Sequence, residues 1–407
     1  MKPEHMHAFS VSTFSSRTAP LASTPLDRWA LARIQRLVAS SRVRFRLWDG
    51  FEVAPTAGAP VGTIVFRNRR ALMAWVWDPD LNFGEAYMFG AVELRGDLVA
   101  MLNEIYRALG DSTPRWWWLW HRSNDVHAAR ENVHRHYDLG NEFYRLWLDR
   151  EMVYTCGYFP TPESTLEEAQ VAKLDRVCRK LALKAGERVI EAGCGWGSLA
   201  LFMARQYGVT VRAFNVSAEQ IAYARDRAKA EGLGDRVEFV EDDYRNVRGE
   251  YDAFVSIGML EHVGLADYRT FGNVVDRALI SRGRGLLHFI GRNRPGPLNP
   301  WISKRIFPGA YPPTLPEVFG RVLEPWDMSV VDVENLRLHY AATLEHWRQR
   351  FEAATDEVAR MFDDTFVRAW RLYLAGSQAA FMTGSMQLFQ VVFARGTSTA
   401  IPPTRCV

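Results

Sequence analysis

Short apolar strands alternate with longer helical stretches in the chain from about Arg130 onward. The stretch "ERVIEAGCGWGSLALFMARQYG" predicts a strand, a glycine-rich turn and a helix, and "VTVRAFNVSAEQIAYARDRAKAEG" repeats the order of strand, loop and helix. Further strands are predicted in "RVEFVEDDY", "YDAFVSIGM" and "GRGLLHFIG". Repeated strand–helix units are typical of a largely parallel, doubly wound α/β sheet, in which ligands bind beyond the carboxyl ends of the strands.

Length, charge and cysteine usage limit the remaining function classes. A chain of 407 residues is longer than one hydrophobic core usually supports, which indicates two domains. The formal net charge of +3 is too small to indicate a nucleic-acid partner, and none is predicted. No apolar run approaches the ~20 residues that span a bilayer, and no secretory signal is predicted at the start. The cysteines lack metal-ligand spacing, which favours a reducing compartment and no metal site; they are Cys156, Cys178, Cys194 and Cys406.

The N-terminal part of the chain predicts a small α+β domain over residues 1–110, which includes a flexible polar leader at its start. Its first helix, "PLDRWALARIQRLVASS", has apolar residues at helical spacing with arginines between them. Packing on its own domain and lying on a membrane both explain this pattern. Eight basic and two acidic residues occur up to Arg46. This surplus suits an anionic surface such as phospholipid headgroups, and a solvated basic face explains it equally well.

A tryptophan-rich segment separates the two predicted domains. The run "RWWWLW" lies in residues 111–130, which we predict to be a linker before a second domain at 131–407. Tryptophan is often buried with its N–H exposed to water, so these rings either pack on the second domain or contact lipid.

The turn "EAGCGWG" carries the first sign of a cofactor site. It places Glu191, Gly193 and Gly195 directly after a strand, but its spacing differs from the G-x-G-x-x-G pattern of dinucleotide-binding proteins. The next strand ends in Asn215, where nicotinamide enzymes have an acid for the ribose. The spacing resembles that of the class I methyltransferases that use S-adenosylmethionine.

Three longer segments resemble a narrower family in their order and spacing. "HYDLGNEFYRLWLDREMVYTCGYF", "NVSAEQIAYA" and "SIGMLEHVG" are similar to the cyclopropane-fatty-acyl-phospholipid synthases and their mycolic acid relatives. The resemblance implies a Rossmann-like class I methyltransferase domain. "FGEAYMFGAVELRGDL" also resembles the lipid-binding domain of the full-length bacterial enzymes, which look dimeric. A homodimer, cytoplasmic and peripherally associated with the inner face of the membrane, is therefore expected.

The resemblance also implies two sets of site residues, transferred here position by position. The first set would bind S-adenosylmethionine: Tyr154, Thr155, Glu191, Gly193, Gly195, Val216, Ser217, Gln220, Asp243 and Tyr244. The second set surrounds a bound bicarbonate ion that serves as the catalytic base in the family: Cys156, Glu261, His288, Ile290 and Tyr340. Cys156 has no adjacent histidine to activate it, so we expect it to line the anion site and not to act as a nucleophile.

The implied reaction transfers a methylene group from S-adenosylmethionine to the cis double bond of an unsaturated phospholipid acyl chain. Methylation of the alkene leaves a carbocation, and loss of a proton then closes the ring. The alternative is a related fatty-acyl methyltransferase, in which a different proton is lost and a methylene or methyl branch forms. An N-methyltransferase for small amines and a non-catalytic lipid carrier are more distant alternatives.

Overall fold

The computed structural model describes residues 22–110 and 139–402. The described chain divides into two compact units. The first contains residues 22–110 together with 299–301 and 355–379, and the second contains the rest. The leader to residue 21 and the predicted linker at 111–130 lie outside the described residues, so the boundaries predicted from the sequence stay predictions.

In the first unit, residues 22–110 form a four-stranded sheet and four helices. The strands are β1 (Val43–Arg46), β2 (Glu52–Val53), β3 (Gly62–Phe66) and β4 (Val92–Gly96), in the order β2-β1-β3-β4. The helices are α1 (Pro25–Leu37), α2 (Arg69–Trp77), α3 (Pro79–Met88) and α4 (Leu98–Leu109). β1 and β3 are parallel, and the other pairs are antiparallel. The sequence prediction of a small α+β unit agrees with this arrangement.

Side-chain caps fix where these helices begin. Thr24 and Asp27 form a reciprocal capping box at the start of α1, and Asn68, Asp78 and Asp97 cap α2, α3 and α4. Each cap gives a backbone N–H of the first turn an acceptor that the helix itself cannot supply.

The second unit contains a seven-stranded sheet. Its strands are β5 (Arg188–Ala192), β6 (Thr210–Asn215), β7 (Val237–Glu241), β8 (Tyr251–Ile257), β9 (Leu279–Gly291), β10 (Met328–Asn335) and β11 (Gln387–Arg395), in the order β7-β6-β5-β8-β9-β11-β10. The five strands from β7 to β9 are parallel, and β11 is antiparallel to both of its neighbours. The predicted doubly wound α/β fold is confirmed.

Helices and short helical turns connect these strands and follow them. They are α5 (Asn141–Arg145), α6 (Leu166–Lys180), α7 (Ser198–Tyr207), α8 (Ala218–Ala230), α9 (Leu260–Val263), α10 (Tyr268–Ala278), α11 (Pro300–Arg305), α12 (Leu315–Val318), α13 (Arg337–Ala353), α14 (Thr355–Met361) and α15 (Asp364–Thr383). Alternate residues of β5 belong to two different buried clusters, with Val189 in one and Ile190 in the other. The sheet is therefore covered on both faces, as a mostly parallel sheet requires.

The strand order reverses between β5 and β8, and the site described next lies at this point. In an open α/β sheet, the loops after two strands on either side of such a reversal diverge and leave a crevice. The register also matters for the site, because His288 of β9 is the Cα partner of Gln390 in β11, and Ile290 is the partner of Leu388.

Candidate active site

The turn after β5 places its glycines in backbone conformations that favour glycine. Gly193 has φ of +83° and Gly197 has φ of +84°. A Cβ on Gly193 would lie 2.9 Å from Cβ of Met259, which follows β8. The Gly193 N–H also donates to the carbonyl of Phe214, at 2.9 Å, so the turn is tied to β6. The glycines thus allow the turns after β5 and β8 to approach closely.

A cavity of about 180 Å³ lies against this turn. Ile257, Met259 and Phe307 form part of its apolar wall. Nine of the ten residues assigned to S-adenosylmethionine from the resemblance line it: Tyr154, Thr155, Glu191, Gly193, Gly195, Val216, Gln220, Asp243 and Tyr244. The tenth, Ser217, is not among the lining residues; it is buried and its Oγ accepts a hydrogen bond from the Gln220 N–H as the cap of α8.

β6 ends in Asn215, an uncharged residue that forms hydrogen bonds with the residues around it. Its side-chain amide donates to Oε1 of Gln220 at 2.7 Å and to the Gly195 carbonyl at 3.3 Å, and its Oδ1 accepts from the Ser217 N–H. Asn215 therefore holds the glycine turn to the start of α8, while it also lines the cavity.

One acidic and one basic side chain, Glu191 and Lys173, are buried in the cavity wall. Burial raises the pKa of Glu191 to about 8 and lowers the pKa of Lys173 to about 8, and the attraction between the two groups opposes both shifts. Sequence reasoning missed Lys173. The signal was present, because Lys173 shares the buried face of α6 with Leu166, Ala169, Leu174 and Val177.

Glu261 is the second residue of the short helix α9, which follows β8, and it is buried. Its Oε1 accepts from the N–H of Ile290 at 3.4 Å, and its carbonyl accepts from the N–H of Tyr311 at 2.7 Å. Among the described residues, nothing hydrogen-bonds to Oε2. Burial raises the pKa of Glu261 to about 7, so this carboxyl group changes its protonation state near neutral pH.

His288 lies in β9 on the same face as Ile290, since side chains two residues apart in a strand share a face. It is buried, its Nδ1 lies 3.1 Å from Nε2 of Gln390, and its Nε2 has no hydrogen-bond partner in the described part of the chain. The amide nitrogen of Gln390 faces Nδ1, and in this arrangement Nδ1 accepts and the ring proton is assigned to Nε2. Burial holds the pKa of His288 well below its usual range, which keeps the ring neutral.

Cys156 and Tyr340 meet at the carbonyl of Leu336. The Tyr340 N–H donates to this carbonyl at 3.1 Å, and the Cys156 thiol lies 4.0 Å from it. The Leu336 N–H in turn donates to Leu388, the partner of Ile290. Burial raises the pKa of Cys156, so its sulfur stays a protonated thiol at neutral pH. The expected place of Cys156 at the anion site stays a prediction.

The five residues assigned to the anion site are thus linked by backbone contacts, and none is among the residues that line the cavity. Two of them are close in the chain to residues that line it, since Cys156 follows Thr155 and Glu261 comes two residues after Met259. The arrangement brings two buried polar atoms without partners, Oε2 of Glu261 and Nε2 of His288, to the ends of neighbouring strands.

Aromatic rings connect the cavity wall to Tyr340. Tyr154 lies 5.2 Å from the ring centre of Trp347, and Trp347 lies 5.9 Å from Tyr340. Tyr158 and Phe159 stack on His339. The aromatic residues that line the cavity are Tyr154, Trp196, Phe214, Tyr244 and Phe307.

Comparison with known proteins identifies the chain. The family model described as mycolic acid cyclopropane synthetase matches residues 124–391. The chain belongs to this family. A second model, described as a domain of unknown function, matches residues 32–113. The family assignment confirms the enzyme class expected from the sequence, a methyltransferase that uses S-adenosylmethionine.

Three relatives show how far the similarity extends. A "Probable fatty acid methyltransferase" of Pseudomonas putida is 38% identical, covering 86% of this chain and 91% of its own length. The cyclopropane-fatty-acyl-phospholipid synthase of Escherichia coli (strain K12) is 41% identical, with 66% of this chain and 69% of the relative covered. The solved mycolic acid cyclopropane synthase CmaA1, complexed with SAH and CTAB, has a TM-score of 0.62 at 28% identity and covers 65% of this chain and 98% of its own.

Proposed function

We propose that this protein transfers a methylene group from S-adenosylmethionine to the cis double bond of unsaturated phospholipid acyl chains. The observation that carries the proposal is the pair of buried polar atoms on Glu261 and His288, which have no hydrogen-bond partner among the described residues. After methyl transfer to a hydroxyl or an amine, the proton that leaves is bound to oxygen or nitrogen and can be released to water. Ring closure removes a proton from carbon, and water in the site would trap the cation, so a base has to be held inside the protein.

The residues of the cavity hold the methyl donor and exclude water. S-adenosylmethionine, when bound, supplies an electrophilic methyl group on its sulfonium. The glycine turn brings backbone close to it, and the apolar wall around Met259 and Phe307 keeps the reacting centre dry. Because an isolated alkene is a weak nucleophile, holding it against the donor in a dry slot is the main contribution that the chain makes to methyl transfer.

The second site fits a small anion such as bicarbonate. When bound, bicarbonate would supply the base that accepts the proton lost on ring closure. His288 can donate from Nε2, because Gln390 occupies Nδ1. Glu261 in its ionised form can accept a proton from the anion through Oε2, which makes the anion more basic. The Leu336 carbonyl contacts both the Cys156 thiol and the Tyr340 N–H. The Ile290 backbone is connected to these residues through Leu388, its strand partner, which accepts from the Leu336 N–H.

Aromatic faces near Tyr154 could stabilise the cationic acyl chain without reacting with it. Tyr154 packs against Trp147 at 5.2 Å and Tyr144 at 5.5 Å, which fixes the orientation of its ring. The negative face of an aromatic ring attracts a cation and carries no lone pair that would quench it.

Analysis of the lipid product tests the proposed reaction. Purified protein is incubated with S-adenosylmethionine and vesicles of an unsaturated phospholipid, and the released fatty acids are examined by mass spectrometry and proton NMR. We expect the mass of one added CH2 group together with ring methylene protons far upfield of vinyl protons. A methylene branch has the same mass, so vinyl protons in a product of that mass would contradict ring formation.

A branched product is the second candidate function. It is favoured by the similarity to the Pseudomonas putida protein, which extends over 91% of that relative and includes its N-terminal part. The same NMR experiment decides between the two. Methylation of small amines without any lipid product would instead support an N-methyltransferase.

The outer face of α1 supports docking on an anionic membrane surface. Leu26, Trp29 and Leu37 are 59%, 50% and 58% exposed, although they belong to a helix whose other face is packed in the unit. Arg33 lies 5.8 Å from the Trp29 ring, and the helix has no exposed acid because its one carboxylate, Asp27, is buried. Apolar residues interleaved with arginines suit the boundary between headgroups and acyl chains.

Replacing the three exposed apolar residues of α1 by serine should weaken binding to vesicles that contain phosphatidylglycerol by at least about tenfold, since the apolar contact area is lost. Sedimentation of vesicles with bound protein measures this. Leu338→Ser is the matched control, because Leu338 is 62% exposed in the second unit. Equal binding by the triple variant and the wild type, or an equal loss in the control, would contradict docking through α1.

These proposals place the enzyme at the inner face of a membrane, in the cytoplasm, where its lipid substrate and S-adenosylmethionine are both accessible. In residues 22–110 and 139–402, no helix is long and apolar enough to cross a bilayer. The homodimer expected from the resemblance stays a prediction.

A further inference from the structure

Helix α6 carries two buried lysines with different surroundings. Lys180 is 1% exposed and forms ion pairs with Glu334, at 2.6 Å, and with Asp332, at 3.2 Å. Lys173 is 2% exposed and donates to Oγ1 of Thr155 at 2.9 Å, and no carboxylate of the described residues lies within ion-pair distance of it. A buried ammonium group without a partner of opposite charge is costly, so a lysine in this position needs a reason.

Thr155, which accepts the hydrogen bond from Lys173, is itself fixed in position. Nε2 of Gln170, one turn earlier on α6, donates to the Thr155 carbonyl at 2.8 Å. Thr155 is therefore held by α6 through its backbone and its hydroxyl. Lys173 and Thr155 both line the cavity, which makes their polar groups available to a ligand there.

Glu191 is a second ionisable group in the same cavity, and although burial raises its pKa to about 8, an ammonium group bound beside it would favour its charged form. It is 2% exposed, and its Oε2 has no hydrogen-bond partner in the described chain. The cavity wall thus contains the Lys173 ammonium group, which is hydrogen-bonded to the Thr155 hydroxyl. It also contains the Glu191 carboxyl group, whose Oε2 has no hydrogen-bond partner in the described chain. The methionine end of S-adenosylmethionine carries one carboxylate and one ammonium group, which match these two features in charge and in hydrogen-bonding type.

We propose that Lys173 and Thr155 bind the carboxylate of the cofactor's methionine end, while Glu191 binds its ammonium group. The bound carboxylate provides the counter-charge that Lys173 lacks. Lys173 is then a cofactor-binding residue in its own right, in addition to the residues that the family resemblance supplies. The inference concerns only the cofactor, so it holds or fails independently of which lipid product the enzyme forms.

The competing role for Lys173 is to serve the proposed anion site. Lys173 is close enough to Cys156 and His288 to influence the charge state of both groups. If this were its main function, removing its charge would change the response of the enzyme to bicarbonate and leave cofactor affinity unchanged.

A comparison of two ligands separates these roles. Isothermal titration calorimetry measures the Kd of S-adenosylmethionine and of decarboxylated S-adenosylmethionine, which keeps the ammonium group but lacks the carboxylate. The wild type should favour the first by about 10- to 100-fold, the range expected for a charge-assisted contact. In Lys173→Met this preference should fall to near one, mainly through weaker binding of S-adenosylmethionine.

Lys180→Met is the matched control, since it removes a second buried lysine from the same helix but lies outside the cavity. It should keep the wild-type preference. If Lys173→Met does not fold, Thr155→Val provides the test, because it removes only the hydroxyl and should also reduce the preference. An unchanged preference in both variants, or equal weakening of both ligands in Lys173→Met, would overturn the proposal.

Discussion

Glu261→Gln should lower kcat by about 10²- to 10⁴-fold, the range of general acid–base contributions, and leave the affinity for S-adenosylmethionine nearly unchanged. The glutamine keeps the size of the side chain and the contact of its oxygen with the Ile290 N–H. It cannot act as a carboxylate that shares a proton with a bound anion. The loss should therefore fall on turnover and not on cofactor binding.

The pH dependence follows from the raised pKa of Glu261, at about 7 instead of 4.5. Below this value the carboxyl group holds its own proton and cannot accept another, so wild-type kcat should rise with pH through about 7. The kcat of Glu261→Gln should not show this rise with pH. Stability should change in the opposite sense, because the stabilisation from the protonated buried acid is present below pH 4.5 and is lost as pH rises through 7.

Steady-state kinetics between pH 6 and 9, cofactor titration and denaturant unfolding at pH 8 together check this prediction. At pH 8 the variant should resist denaturant at least as well as the wild type. Glu250→Gln, which changes an exposed carboxyl group just before β8, is the control and should leave all three measurements unchanged. A variant that loses cofactor affinity as much as kcat would show that Glu261 has a different role.

Gly193→Ala should weaken cofactor binding by at least about tenfold. A residue with a Cβ is strained at φ of +83°, which costs about 1–2 kcal/mol. The new methyl group would also lie 2.9 Å from Cβ of Met259, so the turns after β5 and β8 would have to separate. Both turns line the cavity, and a shift of either one moves its wall.

Gly232→Ala provides the matched control for backbone strain. Gly232 has φ of +67° and nothing within 4 Å of its Cβ position, and it lies outside the cavity. Calorimetric titration with S-adenosylhomocysteine and thermal unfolding should show that Gly232→Ala loses some stability and keeps its affinity. Equal affinities of the two variants would mean that crowding at Met259 does not control the site.

The fold and the glycine turn of the candidate cofactor site follow from local patterns in the sequence, whereas most of the other candidate residues came from the family resemblance. Strand–helix alternation predicts the doubly wound sheet, and the glycines of "EAGCGWG" mark the turn because only residues without a Cβ adopt such conformations easily. Lys173 was hidden for the opposite reason. A lysine in a helical pattern is normally solvated, and only its position on the buried face of α6 distinguishes it.

Contacts between distant parts of the chain were beyond prediction. Nothing in residues 355–379 shows that they group with the N-terminal unit, more than 240 positions earlier in the chain. Gln390 likewise becomes a partner of His288 only through strand register. A one-residue slip in register would turn the Gln390 side chain to the other face of the sheet, and such alignments are set by the whole sheet.

The position of β11 between β9 and β10 also constrains how the protein is made. Residues 387–395 follow every other strand that the structure describes, yet they pair with two strands that do not pair with each other. During translation, the edge of β9 that pairs with β11 therefore stays unpaired until about a hundred further residues have been made. His288 lacks its partner Gln390 for the same period. Loss of residues 387–395 should leave the edge of β9 exposed and prone to aggregation in place of an active enzyme.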